Sequence, residues 1–218
     1  MDSSEEDEEV SKFLDRIIAS IKGNAEYETI RSVLQSLVER IESSTTALAF
    51  LGQYASNLEQ RFDKSRKLMY FFKDDSKLHD SELATLRKAF VYLGLFETSL
   101  SNLIDLILML FIALHHDLYG FFGKQYAKSP DNLDRISMYE KLNFLKDHDL
   151  AVISQNINRN LRNKIAHLDF IIEPNGKILV KRQRYDLEHE IASLMALILC
   201  LMQASKEAGV SKLLRKLS

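Results

Sequence analysis

The residues best equipped for chemistry lie in one short stretch, NINRNLRNKIAH, from Asn156 to His167. Histidine moves protons near neutrality because its unperturbed pKa lies there. Arginine keeps a permanent charge and offers a fork of donors matched to phosphate oxygens. Arg162 and His167 therefore set an anion-binding group five residues from a proton-transfer group. Wound as one helix at about 100° per residue, Asn156, Asn160, Asn163 and His167 share a stripe at i, i+4, i+7 and i+11. Ile153, Ile157, Leu161, Ile165 and Leu168 form a second, apolar stripe that predicts the core-facing side. Asparagine competes for its own backbone and is a mediocre helix former, so solvated faces normally carry Lys and Glu instead. A stripe of amides ending in an imidazole points to a surface that hydrogen-bonds a ligand.

The elements that must position these groups read as helical. With 7 Gly and 2 Pro in 218 residues and abundant Leu, Ile, Lys and Glu, the composition favours an all-α protein. The formal net charge of −2 gives no global basic field, so any site for nucleic acid must be local. Cys200 is the single cysteine; no intrachain disulfide can form, which fits a reducing cytoplasm. The N-terminus is acidic rather than basic and then apolar, so no secretory signal is expected. Leu103–Leu114, interrupted by Asp105, and Ile191–Met202 fall short of the ~20 apolar residues of a membrane span. They read as buried core helices of a soluble protein.

Residues 1–9 form a disordered acidic tail, solvated or shielding a basic site. Residues 10–75 read as a helical extension, beginning with an amphipathic helix whose face carries Phe13, Leu14, Ile17, Ile18 and Ile21. From Ile30 a heptad seam follows: Leu34, Leu37, Ile41, Ser44, Leu48, Leu51, Ala55, Leu58 and Phe62. It serves either a dimerising coiled coil or a helical hairpin within the chain, and SSTT at 43–46 is placed to split it. KDDSKLHDSE at 73–82 is the clearest linker, and Ser81 opens a long helix through His116. Gly94 within it costs ~1 kcal/mol against alanine, which a close helix crossing would explain.

His115-His116-Asp117 reads as a helix-end polar cluster, because adjacent histidines diverge and no further His or Cys sits at ligand spacing. YGFFGKQY at 119–126 reads as a packed turn, with base stacking as the alternative. Pro130-Asp131 starts a helix that buries Ile136, Leu142 and Leu145. Asn175-Gly176 predicts a two-residue type I′ hairpin turn after His167. Lys177, Lys181, Arg182 and Arg184 make that hairpin the most basic patch, either a charged edge or a phosphate-tracking surface. A last helix runs from about Asp186 toward Leu217.

Arg162-Asn163-x-x-x-His167 resembles the Arg-x(4–6)-His signature of the HEPN (higher eukaryotes and prokaryotes nucleotide-binding) ribonuclease family. VYLGLFETSLSNLIDLILML resembles that family's acidic helix with Glu97 at the matching place, and LRNKIAHLDF its motif helix and exit. Arg184 and His189 share the spacing, but Tyr185, Asp186 and Glu188 between them do not fit. The resemblance implies a HEPN-like helical bundle over 80–218, with a short β-hairpin after the motif helix. It implies a metal-independent endoribonuclease without cofactor, in defence or toxin-like RNA degradation, or else a non-catalytic RNA-binding or dimerisation module. RNA carries its own nucleophile, the 2′-hydroxyl. His167 would be the acid/base, Arg162 the phosphate clamp, and Asn163 the group orienting imidazole or substrate. Glu97 would steer Arg162, with Asn160, Asn156, Lys164, Lys181 and Arg182 supporting RNA.

Five residues put Arg162 about 140° around a regular helix from His167. A homodimer with a composite cleft, as HEPN nucleases generally build, would bring the two groups together. The resemblance admits an antitoxin or regulatory protein as a further partner, but Asp169 argues against one that modifies a Tyr after the motif His. Some toxins of the family carry a modifiable Tyr two residues after the motif His, where this chain has Asp169.

Overall fold

The first helix, α1 (Ala25–Glu42), begins where the Asn24 side chain accepts from the Glu26 N–H at 2.9 Å. The computed structural model describes residues 24–56, 58–59, 81–114 and 130–217. The acidic tail, the amphipathic segment before residue 24, most of the linker, His115-His116-Asp117 and the aromatic run at 119–126 lie outside the described residues. The protein is mostly helical with one small antiparallel sheet.

The heptad seam is two helices. Ser44 accepts from the Ala47 N–H at 3.2 Å and starts α2 (Thr45–Gly52). Ile30, Leu34, Leu37, Ile41, Leu51, Ala55 and Leu58 are buried within their own chain, so the seam is closed to a coiled-coil partner. What occupies it is the centre of the fold. After α3 (Ser81–Gly94) comes a π-helical segment, Leu95–Leu100, and then α4 (Ser101–Leu114), in which every residue from Leu103 to Ala113 is buried. A helix apolar all round has no solvent face and must be wrapped. Both α1 and α2 lie on α4, and their apolar side chains join one hydrophobic cluster with the C-terminal helices. Gly94 sits where the α pattern gives way to the π pattern.

Asp105, the charge within this apolar helix, meets Lys141 at 2.6 Å, with side chains only 6% and 5% exposed. Lys141 belongs to α6 (Met138–Lys146), which follows a single turn, α5 (Pro130–Leu133). The helix expected from Pro130 is thus interrupted, because Ser137 and Glu140 form a reciprocal capping box and restart it. Ile136, Leu142 and Leu145 are buried as the pattern indicates.

Next come α7 (Ala151–Gln155), α8 (Arg159–Ala166), and strands β1 (Ile171–Ile172), β2 (Ile178–Val180) and β3 (Gln183–Tyr185), antiparallel in that order. The expected hairpin is therefore a three-stranded sheet, and its first turn is not type I′. The Gly176 N–H donates to the Glu173 carbonyl at 2.9 Å, and only Gly176 has positive φ, at 75°. Pro174 fixes a negative φ inside the turn and extends the loop to Pro174-Asn175-Gly176, a type I turn closed by a left-handed glycine. Thr85 Oγ1 of α3 lies 3.5 Å from the Gly176 carbonyl and ties the loop to the bundle.

The chain closes with α9 (Leu187–Glu207), capped by Asp186, and α10 (Val210–Leu217). Gly209, at φ 82°, separates them, so the last helix is also broken. By length and hydropathy, Glu82–Leu114 and Leu187–Glu207 do reach a membrane span, longer than the sequence runs indicate. Their apolar windows are 78% and 44% buried inside the protein, the first as expected of a core helix.

Removing one partner of a buried ion pair strands the other charge, at a cost of ~3–5 kcal/mol. Asp105→Ala should lower unfolding free energy in urea by about that amount, and Lys141→Ala likewise. The joint Asp105→Leu, Lys141→Met replacement should lose less than either single change.

Candidate functional site

The stretch Asn156–His167 is not one helix. The chain leaves α7 at Asn156 and re-enters at Asn158, the N-cap of α8. Asn158 is held from three sides. Its side chain accepts from the Leu161 N–H at 3.1 Å, its carbonyl accepts from Tyr92 Oη at 3.3 Å, and its amide donates to Glu190 at 3.5 Å. The break removes Asn156 from the amide stripe. Its amide instead donates to the Val152 carbonyl at 2.9 Å and to Glu26 at 3.4 Å. Asn156 lines a separate hollow of about 250 Å³ with Tyr27, Ser193 and Cys200. Burial pushes the Cys200 thiol up to about 11, so it stays protonated at neutral pH.

On α8, Leu161 and Ile165 are buried as the apolar stripe requires, whereas Leu168 is 61% exposed. The helix ends in a Schellman turn, which explains that exposure. Asp169 N–H reaches the Lys164 carbonyl at 2.8 Å and Leu168 N–H the Ile165 carbonyl at 3.0 Å, with His167 as the C-cap. Leu168 takes the left-handed position at φ 51°. His167 itself is exposed, and among the described residues its imidazole meets no hydrogen-bond partner.

Arg162 opens on the larger hollow, a cleft of about 490 Å³. Its lining includes Phe96 from the π-helical segment, the first turn of α6 (Ser137, Met138, Tyr139), and Arg159, Asn160, Arg162 and Asn163 from α8. Glu97 pairs with the Arg162 guanidinium through Nε and a terminal nitrogen, and Asn163 Oδ1 accepts from Nη1 at 2.9 Å. Asn163 thus orients the arginine rather than the imidazole. Arg162 Cζ also lies 5.6 Å from the Phe96 ring centre. The side chains of Arg162 and Glu97 are 29% and 40% exposed, so solvent holds the pair to ~0–1 kcal/mol. Its consequence is direction more than stability.

The structure brings Arg162, Asn163, Asn160 and Glu97 together, and leaves His167, Lys164, Lys181 and Arg182 outside the cleft lining. Lys164 is paired with Asp169, whose carboxyl this hydrogen bond holds below the usual carboxylate range. Arg184 binds Glu173 at 2.8 Å, which accounts for one charge of the basic hairpin; Lys177, Lys181 and Arg182 are exposed.

Five lining residues, Phe96, Ser137, Met138, Tyr139 and Arg159, are not among those expected, and two of them meet each other. Arg159 Cζ sits 4.6 Å from the centre of the Tyr139 ring, and Tyr139 is 56% exposed. The i, i+3 spacing of Arg159 and Arg162 places both on one helix face and was legible in the sequence. So was Ser137-x-x-Glu140, a capping signature that starts a helix beside them. Among the described residues no group of His, Cys, Asp and Glu is placed to hold a metal ion.

Comparison of the chain with protein-family models, with curated proteins and with solved structures finds no match.

Left-handed φ costs a residue with a Cβ ~1–2 kcal/mol, and glycine escapes that cost. Because the Leu168 side chain is largely in solvent, Leu168→Gly should raise stability by about 1 kcal/mol in urea unfolding.

Proposed function

We propose that this chain is a HEPN-type, metal-independent endoribonuclease acting as a homodimer. The observation that carries the reading is the disposition of Arg162. It is aimed by Glu97 and Asn163 into an open cleft that holds a second guanidinium and an aromatic ring. A forked cation beside amide donors suits a phosphodiester, and an adjoining ring suits a base.

In the proposed reaction a base takes the proton of the 2′-hydroxyl, and the oxygen attacks phosphorus. The P–O5′ bond breaks, the 5′-oxygen receives a proton, and a 2′,3′-cyclic phosphate remains. Arg162 would hold the charge that builds on the phosphorane. His167 would move the protons, from the copy opposite, because one helix turns it away from its own Arg162. Its exposure leaves it accessible to a partner, and the exposed apolar side chains Leu168 and Ile171 lie one and four residues after it.

A second reading, an RNA-binding or dimerisation module without turnover, is favoured by the position of His167. It is a helix C-cap outside the cleft lining, and Arg162 already has a carboxylate partner.

Labelled RNA incubated with the protein in EDTA separates the two. The nuclease gives 2′,3′-cyclic phosphate ends, and His167→Ala lowers the rate by ~10²–10⁴. Arg162→Ala abolishes cleavage as well. Bound but intact RNA at high protein concentration sinks the nuclease reading. Light scattering at micromolar concentration should give the mass of a dimer; a monomer there counts against the composite cleft.

A further inference from the structure

We infer that Tyr139 and Arg159 form a base-stacking platform beside Arg162, restricting the cleft to single-stranded RNA with an unpaired base next to the bound phosphate. The inference rests on the RNA reading of the cleft and adds the form of the substrate. Tyr139 stands on the first turn of α6, anchored by the Ser137–Glu140 capping box and by Lys141 on Asp105. The ring is therefore fixed at its base yet more than half exposed. Arg159 covers one face of it at 4.6 Å. A guanidinium over a phenol ring makes a cationic, aromatic surface of the kind an unstacked nucleobase binds.

Arg159 and Arg162 lie one helical turn apart on α8 and line the same cleft. A phosphate on Arg162 thus puts the neighbouring nucleotide within reach of the platform. Asn160 and Asn163 share that lining and offer donors and acceptors to a base edge or a 2′-hydroxyl. Bases inside a duplex are stacked on one another and have no face to offer. Duplex RNA would reach Arg162 through its backbone alone.

The test measures binding of a fluorescein-labelled single-stranded RNA octamer, and of the same sequence as a duplex, in EDTA. The full-length protein is used with its cleavage slowed by His167→Ala, and the RNA is checked to be intact after the measurement. The single strand should bind at least tenfold tighter than the duplex. Tyr139→Ala should weaken single-strand binding by roughly 5- to 150-fold, one stacked base's worth, and leave the duplex unaffected. Tyr139→Phe should bind as the parent does, because the ring remains. Arg159→Lys keeps the charge and should lose most of the preference.

In the cleaving protein, Tyr139→Ala should raise KM and leave kcat within a few fold. Equal affinity for both forms of RNA, or a Tyr139→Ala variant of unchanged melting temperature and unchanged binding, overturns the platform. Cleavage that persists in that case keeps the nuclease reading. Conversely, ring-dependent single-strand binding without any cleavage supports the platform and removes the nuclease.

Discussion

The fold is governed by one constraint, that α4 has no face it can show to water. Each of its Leu, Ile and Phe side chains gains ~1.5–3 kcal/mol on full burial, and they point in every direction around the axis. Helices α1 and α2 therefore close one flank, α9 another, and α6 a third. On that third flank the constraint becomes specific. Asp105 must be neutralised where it is buried, and Lys141 is the cation that reaches it. Apolar contact alone would let α6 slide along α4; a charge pair in a dry interior fixes its register. Tyr139, two residues before Lys141, is placed by the same bond. A packing requirement in the core thus sets the position of a ring in the cleft.

The site itself depends on departures from regular helix. In the π-helical segment the Ser101 N–H reaches back to the Phe96 carbonyl, five residues away, and the helix is locally underwound. Phe96 turns inward under the Arg162 guanidinium while the adjacent Glu97 stays outside and binds it. A second departure, at Asn156–Asn158, frees α8 from α7 so that it can lie against α3. Tyr92 on α3 fastens the joint through the Asn158 carbonyl. Since Arg159 follows that cap directly, the joint decides where both arginines of the cleft emerge.

These departures mark the boundary of what was legible in the sequence. Helical character, the buried seam and the buried positions of α6 follow from composition and period alone, because burial repeats with the helix turn. The split at Ser44 was visible as a capping residue, though periodicity continues across it and by itself argues for one helix. The type I′ turn failed at Pro174: Asn-Gly specifies two residues of positive φ, and the proline before them imposes a different loop. The amide stripe failed for a comparable reason. Asn is as good at ending and starting helices as at lining one, so Asn156 and Asn158 became a C-cap and an N-cap. Tyr139 and Arg159 were missed because their meeting is tertiary, set by Lys141 on Asp105 rather than by spacing.

The relation of Arg162 to His167 follows from the same local geometry. A side chain in the middle of α8 can be aimed by neighbours on either side, and Arg162 is aimed by a carboxylate, an amide and a ring. His167, at the C-cap with a left-handed residue directly after it, is exposed and outside the cleft lining. One helix thus lends an oriented arginine to the cleft and leaves an exposed imidazole outside its lining. On the proposed nuclease reading, a phosphate on Arg162 would meet His167 of the partner subunit. Leu168, 61% exposed and held at a left-handed φ of 51° beside His167, would on that reading lie at the surface the second copy touches.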